Sequence, residues 1–482
     1  MPDRAPASPA PHLAVVGAGP AGLAAALAAA ARGVRVTLLD AAPQTGGQFH
    51  RRPAEALGAR RPQALHHRWR TAERLREGLE AHVRAGTVRH LADHHVWCAE
   101  PGPGTGFTVH ALRGPGQRDP AEVCADALVL ATGGYEKVLP FPGWTLPGVV
   151  TAGGAQAMLK GALAVSGRTA VVAGTGPLLL PVAAGLAAAG VTVAALVESA
   201  APKALLRRAP VWAAHPAKLA EGAGYAAALL RHRVPVLTRH TVAEAHGTDR
   251  LEAVTVAALD ADGRVRPGTA RRIPCATLAA GHGMLPQTDL AGTLGCRLDG
   301  LAVRVDAEQR TDVPGVWAAG EATGIGGAEL SLAEGHIAGR SAAARLHGTR
   351  PDPAAWARAA RARDRLRAFA AALDAVYAPP AHWTEQVTDD TTVCRCEEVT
   401  AGAVREAVAE LGAGDVRTVK LLTRAGMGWC QGRMCAPAVA GLTGCALTPS
   451  PRPFARPVPL GVLARRPDHR DDMSHPTGRE SG

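Results

Sequence analysis

Two stretches of the chain share one pattern: a short apolar run, a glycine-rich turn, an alanine-rich segment and a second apolar run. In the first stretch, residues 13–16 predict a strand, residues 20–32 a helix and residues 34–39 the next strand. In the second, residues 169–197 contain no charged side chain, and glycines and prolines divide them into strand, turn, helix and strand. Parallel strands covered on both faces read as continuous apolar runs, so this stretch indicates a buried βαβ unit and not a membrane span.

Further segments extend this pattern towards the carboxyl end. Residues 123–130, 272–279 and 316–319 predict strands, and we expect the last two to return to the first sheet. Residues 68–84 predict a charged helix, and residues 353–376 predict a helical connector rich in Ala and Arg. The order of these elements predicts an α/β chain with two Rossmann-like units and a small helical domain after them.

Charge and composition exclude several classes of protein. The chain has 482 residues, with 53 Lys and Arg against 42 Asp and Glu, so its formal net charge is +11. The basic residues are mostly scattered Arg, and aromatic residues make up only 3% of the chain, so we expect no nucleic-acid binding. The proline-rich start predicts no signal peptide, and with no predicted transmembrane segment we expect a cytoplasmic protein.

A glycine motif follows the first predicted strand and opens the first predicted helix. Gly17 permits the tight turn, Gly19 lets the backbone approach a pyrophosphate, and Gly22 lets the helix pack closely on the strand. Pro20 suits the first turn of this helix, whose free N–H groups bind phosphate. Asp40 ends the second strand, where its carboxylate is placed to accept hydrogen bonds from a ribose diol. These residues predict an adenine dinucleotide site.

Three later segments favour FAD at this site, because they resemble segments of two-dinucleotide-binding flavoproteins. They are a glycine pair after the second strand, a strand that ends in Ala-Thr-Gly-Gly, and a late strand with a terminal acidic residue. The residues that they mark for FAD binding are Gly47, Gln48, Thr132, Gly133, Gly320 and Glu321. The resemblance implies that the late acidic residue holds the flavin's ribityl chain. That residue is more often Asp, so Glu321 extends the reach of its carboxylate.

The second stretch carries a degraded version of the glycine motif. Gly174 and Gly176 keep the first two glycine positions, but Leu179 stands at the third, where its side chain would push the helix away from the strand. Glu198 ends the following strand and is placed to bind a ribose. The motif leaves three interpretations open: a scaffold that binds no nicotinamide, a modified NAD(P) site, or a site for a non-redox nucleotide.

Four of the nine cysteines form a separate group near the carboxyl end. Cys394 and Cys396, and further along Cys430 and Cys435, follow the pattern C-x-C…C-x4-C. Four thiolates from two loops would enclose a [2Fe–2S] cluster or a tetrahedral Zn²⁺, and the tight C-x-C spacing favours iron–sulfur. The other five cysteines form no C-x-x-C pair, which argues against disulfide reductase activity, and we interpret them as small core residues.

Four longer segments resemble the large flavoprotein subunits of opine oxidase, D-hydroxyproline dehydrogenase and hydrogen cyanide synthase. They are residues 141–149 (FPGWTLPGV), 324–330 (GIGGAEL), 423–433 (TRAGMGWCQGR) and 457–461 (PVPLG). The cysteine-rich module of that family is similar to the bacterioferritin-associated ferredoxin (BFD) fold, which carries [2Fe–2S]. The resemblance implies a heteromeric amine or amino-acid dehydrogenase. In it, a partner flavoprotein subunit of the D-amino-acid-oxidase type oxidises the substrate's C–N bond, and a small ferredoxin-like subunit joins the complex.

A more distant resemblance to archaeal dye-linked L-proline dehydrogenases adds alternatives for the cofactors. It implies FMN at a subunit interface, and ATP in place of NAD(P) at the second nucleotide site. Any association with a membrane would come through partner subunits.

The sequence therefore predicts an electron-transfer subunit of an amino-acid or opine dehydrogenase or oxidase, of the proline, hydroxyproline or glycine type. No motif positions a general base, so no residue is predicted as catalytic. The alternatives are a stand-alone NAD(P)H-dependent FAD and iron–sulfur reductase, and a scaffold that only organises partner subunits.

The motifs divide the chain into predicted parts. These are an FAD-binding Rossmann-like domain in two segments (10–145 and 268–350), an inserted NAD(P)-binding-like domain (146–267), a helical connector (351–390), a BFD-like [2Fe–2S] domain (391–447) and a partly disordered tail (448–482).

Overall fold

The computed structural model describes residues 10–66, 68–102, 104, 106–201, 209–449 and 452–464. Its helices, in chain order, are α1 (Pro20–Ala30), α2 (Trp69–Arg84), α3 (Ala152–Ala162), α4 (Leu179–Ala188), α5 (Ala209–Ala213), α6 (Pro216–Arg231), α7 (Asp289–Thr293), α8 (Gly327–Leu346), α9 (Ala357–Val376), α10 (Ala401–Ala409), α11 (Val416–Thr423), α12 (Ala436–Thr443) and α13 (Leu460–Leu463). Its strands are β1 (His12–Val16), β2 (Arg35–Leu39), β3 (Val88–Leu91), β4 (His94–Pro101), β5 (Phe107–Arg113), β6 (Asp119–Ala125), β7 (Ala127–Leu130), β8 (Gly134–Glu136), β9 (Val149–Thr151), β10 (Thr169–Gly174), β11 (Thr192–Glu198), β12 (Val236–Thr238), β13 (His240–His246), β14 (Ala253–Ala258), β15 (Arg271–Pro274), β16 (Thr277–Gly281), β17 (Met284–Pro286), β18 (Leu298–Asp299), β19 (Ala302–Val303), β20 (Val316–Ala318), β21 (Thr392–Cys394) and β22 (Val399–Thr400).

The first unit is built on a parallel sheet with the strand order β20–β7–β1–β2–β3. Leu13 and Leu128 are fully buried, because helices cover one face of the sheet and the antiparallel sheet β4–β5–β6 covers the other. Helix α8 packs directly on the backbone of α1: a Cβ atom on Gly335 would lie 2.0 Å from the carbonyl oxygen of Ala21. This contact fixes the helix that follows the first glycine turn.

The second unit repeats the arrangement with a parallel sheet in the order β12–β11–β10–β16–β9. Helices α3, α4 and α6 cover one face, and the antiparallel sheet β13–β14–β15 covers the other. Val171 and Val172 face opposite sides of β10, and both are fully buried. The short antiparallel pair β8–β17 joins the segments that follow β7 and β16. The two sheets confirm the predicted α/β fold class.

The cysteine-rich segment folds as a small helical module. Helices α10, α11 and α12 and the hairpin β21–β22 enclose a core that contains Val393, Val404 and Val419. Thr400 caps α10 through the Ala403 N–H. The module also contacts the second unit, because the indole Nε1 of Trp144 donates a hydrogen bond of 2.6 Å to the Thr392 carbonyl oxygen.

Most predicted elements are confirmed to within a few residues. Helices α1, α2 and α9 and strands β1, β2 and β20 lie where the apolar pattern placed them. The uncharged stretch 169–197 is the predicted strand–helix–strand unit, β10–α4–β11. Within the described part of the chain, no helix is both long and apolar enough to cross a membrane.

Two strand predictions are wrong. Residues 272–279 do not form one strand that returns to the first sheet: Arg271–Pro274 pairs antiparallel with β14, and Thr277–Gly281 lies in the second sheet between β10 and β9. Pro274 ends the antiparallel ladder because it has no N–H to donate. Residues 123–130 also divide, at Asp126, whose carboxylate accepts the backbone N–H of His12 at 2.7 Å while the chain passes from β6 to β7.

The interpretation of the five other cysteines is only partly right. Cys275 and Cys296 are buried in the core, but Cys98 and Cys445 are half-buried and Cys124 is exposed. Strand β6 is at the edge of its antiparallel sheet, which explains why one of its side chains faces solvent.

The described part of the predicted tail packs against the first unit. The Phe454 ring meets the Trp97 ring edge-on at 5.0 Å, and the Ala455 N–H donates to the Trp97 carbonyl oxygen at 2.8 Å. The disorder predicted for the end of the tail concerns residues 465–482, which lie outside the described residues.

Candidate cofactor sites

The first glycine turn is formed by backbone contacts that leave no room for side chains. A Cβ atom on Gly17 would lie 2.2 Å from the Ala131 carbonyl oxygen, and one on Gly22 would lie 1.7 Å from the Gly17 carbonyl oxygen. Gly17 has a φ of +104°, which favours glycine. Pro20 is the first residue of α1, as predicted. Gly19, which precedes α1, has no side chain to cap the helix, so the first N–H groups of α1 can be offered to a phosphate.

The segments predicted to contact FAD lie around this turn. A Cβ atom on Gly47 would lie 2.9 Å from the Gly19 Cα, so the glycine pair packs against the turn itself. Thr132 and Gly133 directly follow the strand end that contacts Gly17, and a Cβ atom on Gly133 would meet no atom within 4 Å. The Gln48 side chain already has a partner within the protein, because its oxygen accepts a hydrogen bond of 2.8 Å from Arg51.

Asp40 holds the turn and presents a carboxylate beside it. Its side chain accepts hydrogen bonds from the backbone N–H groups of Ala18 and Ala42, the second at 2.7 Å. Burial raises the pKa of Asp40, and these two N–H groups counteract the rise. A ribose diol would add donors of the kind that the carboxylate already uses. The residues present thus fit the adenosine end of a dinucleotide.

Glu321 and Gly320 close the opposite end of the site. Burial raises the pKa of Glu321, while the Gly327 N–H and Arg367 favour its charged form. One Glu321 carboxylate oxygen would lie 3.4 Å from a Cβ atom on Gly134. Gly320 has a φ of +78°, and a Cβ atom there would lie 2.8 Å from the Ala21 Cβ. The late strand end therefore meets the start of α1.

Glu334 and Arg367 support this end of the site and were not predicted from the sequence. Glu334 is 1% exposed and accepts hydrogen bonds from the Gly320 N–H at 2.9 Å and from the Thr323 hydroxyl at 2.8 Å. Arg367, from α9, donates its Nε to Glu334 at 2.9 Å and its Nη1 to the Gly324 carbonyl oxygen at 2.9 Å. Burial raises the pKa of Glu334, and the Arg367 charge counteracts it. The available signal was a charged residue among the small and apolar residues of the buried face of α8.

The second glycine turn shares the framework of the first. Gly174 has a φ of +135°, and a Cβ atom there would lie 1.7 Å from the Gly281 carbonyl oxygen. Glu198 accepts hydrogen bonds from the N–H groups of Gly176 at 3.0 Å and Ala200 at 2.8 Å, as Asp40 does in the first turn. Burial raises the pKa of Glu198, and these N–H groups counteract the rise.

The ligand-facing part of the second turn differs from the first. Helix α4 begins at Leu179, whereas the counterpart of Pro20 is Pro177, which precedes the helix. The Leu179 side chain is 1% exposed and belongs to the core of the second unit. A Cβ atom on Gly176 would lie 3.9 Å from the Cβ of Tyr377, which directly follows the connector helix α9. Burial raises the pKa of Tyr377, and the Glu198 charge raises it further.

The four clustered cysteines come from two neighbouring loops. Cys394 and Cys435 are each 2% exposed, Cys430 is half-buried and Cys396 is exposed. A Cβ atom on Gly428 would lie 2.1 Å from the Cys396 Cβ, so the glycine-rich loop before Cys430 makes room for a thiol. Among the described residues, no three His, Cys, Asp or Glu side chains are arranged to hold a single metal ion.

The thiols interact with one another across the two loops. Burial raises the pKa of Cys435, and the thiols of Cys394 and Cys430 raise it further. Burial also raises the pKa of Cys396, which has Cys430 and Cys394 as neighbours. Four thiols that face each other across two loops match a two-iron centre, in which each iron takes two thiolates. The donor set fits [2Fe–2S], and these four cysteines would hold it.

Comparisons with known proteins define the class of protein. Residues 11–346 match the family model described as pyridine nucleotide-disulphide oxidoreductase, and the chain belongs to that family. Residues 392–442 match the model described as BFD-like [2Fe-2S] binding domain. The first match indicates FAD binding and the second a [2Fe–2S] cluster, so the chain is a flavin-dependent oxidoreductase.

The relatives narrow this class. The chain is 34% identical to an opine oxidase subunit of Agrobacterium tumefaciens, with 97% of this chain and 94% of the relative covered. It is 35% identical to hydrogen cyanide synthase subunit HcnB of Pseudomonas aeruginosa, with 87% and 90% covered. Its fold resembles that of L-proline dehydrogenase from P. horikoshii, with a TM-score of 0.64, 20% identity, and 95% and 81% covered. The resemblance to opine oxidase and hydrogen cyanide synthase subunits is confirmed, and both relatives are subunits.

Proposed function

We propose that the chain is the electron-transfer subunit of a heteromeric dehydrogenase or oxidase that acts on amino acids or opines, of the proline, hydroxyproline or glycine type. A partner flavoprotein subunit of the D-amino-acid-oxidase type would oxidise the substrate's C–N bond. This chain would receive the electrons at FAD and pass them to [2Fe–2S]. A small ferredoxin-like subunit would complete the complex.

The observation that carries this proposal is the contact between the cysteine loop and the FAD-binding unit. Arg433 lies between Cys430 and Cys435 in the sequence, and its Nη2 donates to the Asp289 carboxylate at 2.7 Å. Its Nη1 donates to the Cys430 carbonyl oxygen at 3.2 Å. A loop that would hold the cluster is thus bonded to the unit that would hold the flavin, as an internal electron path requires.

The second glycine turn favours the relay over an NAD(P)H reductase. The Tyr377 Cβ borders Gly176, where the backbone would have to face a pyrophosphate, and the Tyr377 phenol interacts with the Glu198 charge. FMN at a subunit interface, and NAD(P) or ATP at the second turn, stay predictions. What this chain's own residues would do is bind the two centres and fix their separation.

Co-expression with the neighbouring reading frames and anaerobic spectroscopy test the proposal. Proline, hydroxyproline, glycine or an opine added to the assembled complex should bleach the flavin absorbance and produce the electron paramagnetic resonance (EPR) signal of a reduced [2Fe–2S] cluster. NADH added to the isolated chain should bleach nothing. Rapid bleaching by NADH would instead support the stand-alone reductase.

A Cys394→Ser variant supplies the control for the cluster. The variant complex should still bleach its flavin with substrate, but it should contain less iron and give no wild-type EPR signal. Cys275→Ser is the matched control, because Cys275 is buried in the core of the second unit. Full iron and an unchanged spectrum in the Cys394→Ser variant would contradict the cluster assignment.

A further inference from the structure

Asp289, the first residue of α7, is bound by side chains from distant parts of the chain. Arg433 donates two hydrogen bonds to one carboxylate oxygen, from Nε at 2.9 Å and Nη2 at 2.7 Å. Arg452 donates its Nη1 to the other oxygen at 3.2 Å. These three side chains are each only 16–18% exposed. We call Asp289, Arg433 and Arg452 the Asp289 clamp.

The two arginines of the Asp289 clamp also hold the loop that carries Cys430. Arg433 donates its Nη1 to the Cys430 carbonyl oxygen at 3.2 Å, and Arg452 donates its Nη2 to the Gln431 carbonyl oxygen. Each planar guanidinium therefore spans from the carboxylate to the loop backbone, a geometry that a lysine cannot reproduce. The position of the loop depends on these two bridges.

On its other side, the Asp289 clamp is connected to the strand end of the FAD site. The Gln287 side-chain Nε2 donates to the Asp289 carboxylate at 2.7 Å. The Gln287 backbone accepts a hydrogen bond from the Thr132 hydroxyl at 2.6 Å and donates one to the Gly133 carbonyl oxygen at 2.9 Å. Consecutive hydrogen bonds thus run from Thr132 and Gly133 through Gln287 and the clamp to Cys430.

The charges of the Asp289 clamp do not cancel. One carboxylate faces two guanidinium groups, so a net positive charge lies next to the Cys430 loop. Arginine stays protonated in proteins, so both guanidinium groups carry their charge. A nearby positive charge favours the arrival of negative charge, and the net charge around a cluster sets its reduction potential.

We propose that the Asp289 clamp positions the cysteine loop for electron transfer from FAD and that its surplus positive charge raises the reduction potential of the cluster. The proposal rests on the proposed function as a relay. In the step, one electron leaves the reduced flavin and converts one Fe³⁺ of the cluster to Fe²⁺. No bond forms or breaks, and no proton enters the cluster. The amine substrate supplies the flavin's electrons, and a one-electron acceptor reoxidises the cluster.

Two variants of the full chain should shift the midpoint potential of the cluster in opposite directions. Arg433→Gln removes a positive charge and should lower the midpoint potential of the cluster, whereas Asp289→Asn removes a negative charge and should raise it. A clamp that acts only by packing would shift both potentials in the same direction, or would leave both unchanged. EPR-monitored redox titration measures the potential and requires no amine substrate.

Both variants should slow electron transfer from the flavin to the cluster, because both release the cysteine loop from the Asp289 clamp. Photoreduction of the flavin, followed by the absorbance of the cluster, measures the rate of internal electron transfer. This rate should fall about tenfold or more in both variants, as for the loss of other residues that orient metal ligands. Arg433→Lys keeps the charge but not the forked geometry, so it should keep the potential and still slow the transfer.

Arg417→Gln is the matched control in the same module. Arg417, in α11, is exposed and is not a sequence neighbour of any of the four cysteines, so solvent screens its charge. The midpoint potential of the cluster and the rate of internal electron transfer in this variant should equal those of the wild type.

Variants that bind wild-type amounts of iron and flavin without a change in potential or rate would overturn the proposal. If the Arg433→Gln variant binds no iron, its cluster potential cannot be measured. The potentials and transfer rates of the Asp289→Asn and Arg433→Lys variants then test the proposal in its place. If no amine reduces the complex while the clamp variants shift the potential as expected, the proposed function fails and the clamp stands.

Discussion

The two glycine turns have the same framework, although only the first keeps all three glycines of the motif. In each turn, the first glycine packs against a carbonyl oxygen of a neighbouring strand, of Ala131 for Gly17 and of Gly281 for Gly174. In each turn, a carboxylate from the next strand accepts two backbone N–H groups. These contacts hold the turn in place whether or not a ligand binds.

The turns differ where a ligand would lie. At the first turn, the position above Gly19 is bordered by another glycine, Gly47. At the second, the position above Gly176 is bordered by Tyr377 from the connector, and the third glycine is replaced by the buried Leu179. The contacts that build the scaffold are therefore separable from the contacts that admit a dinucleotide, and reciprocal substitutions test this separation.

The largest effect is expected from Gly22→Leu, which places the second turn's residue in the first turn. The new Cβ would lie 1.7 Å from the Gly17 carbonyl oxygen, so α1 must move away from the strand. We expect loss of bound FAD and destabilisation by about 3 kcal/mol or more. The flavin-to-protein ratio and the urea unfolding midpoint measure these effects.

Gly222→Ala is the control for this substitution. A Cβ atom on Gly222, in α6, would meet no atom within 4 Å. We expect wild-type flavin content and a stability that is unchanged or higher by about 1 kcal/mol, because Ala favours the helix. If the Gly22→Leu chain retained wild-type flavin, the close contact at the first turn would not be required for binding.

The reciprocal change, Leu179→Gly, should reduce stability without affecting the flavin. Leu179 is buried in the core of the second unit, so its loss leaves a cavity and should cost about 3 kcal/mol, in addition to the cost of glycine in a helix. Urea unfolding of the variant measures this change. Leu230→Ala is the control, because Leu230 is 78% exposed and its loss should change stability by less than about 0.5 kcal/mol. Flavin loss in the Leu179→Gly chain would show that the two turns are coupled.

Tyr377→Ala should open the second turn. Removal of the ring takes away the phenol that interacts with the Glu198 charge, so we expect ADP-ribose or NADH to bind about tenfold more tightly than to the wild type. Isothermal titration calorimetry measures the affinity. Val376→Ala, one residue earlier, should leave it unchanged. Equal affinities for Tyr377→Ala and the wild type would mean that Leu179, and not Tyr377, excludes the dinucleotide.

The sequence was sufficient for the features that depend on local contacts. The first glycine turn, α1 and Asp40 lie close together in the sequence, and each glycine has a steric reason that the motif encodes. The cysteine spacing also favoured a [2Fe–2S] cluster, and the segment that carries it matches a BFD-like [2Fe-2S] binding domain.

Features that depend on distant contacts could not be predicted. The strand Thr277–Gly281 was assigned to the wrong sheet, because a buried parallel strand has the same apolar pattern in either sheet. Tyr377 lies over Gly176, and Arg433 binds Asp289, through contacts between residues far apart in the sequence. A single sequence contains no periodic signal for such pairs.

The smallest effect concerns how the two carboxylates respond to pH. Burial raises the pKa of both Asp40 and Glu198 in the folded chain. Such a carboxyl stabilises the folded chain fully below its unfolded-state pKa, of about 4, and this contribution is lost as the pH rises through the folded-state pKa. In the flavin-free chain, the unfolding free energy of the wild type minus that of Asp40→Asn should therefore fall as the pH rises through this range, and the difference for Glu198→Gln should fall likewise.

Loading with FAD separates the two turns, because ribose donors favour the charged form of Asp40 and lower its pKa. With FAD bound, the pH dependence of the difference in unfolding free energy should weaken for Asp40→Asn and persist for Glu198→Gln. If FAD changed both differences equally, the assignment of FAD to the first turn alone would be contradicted.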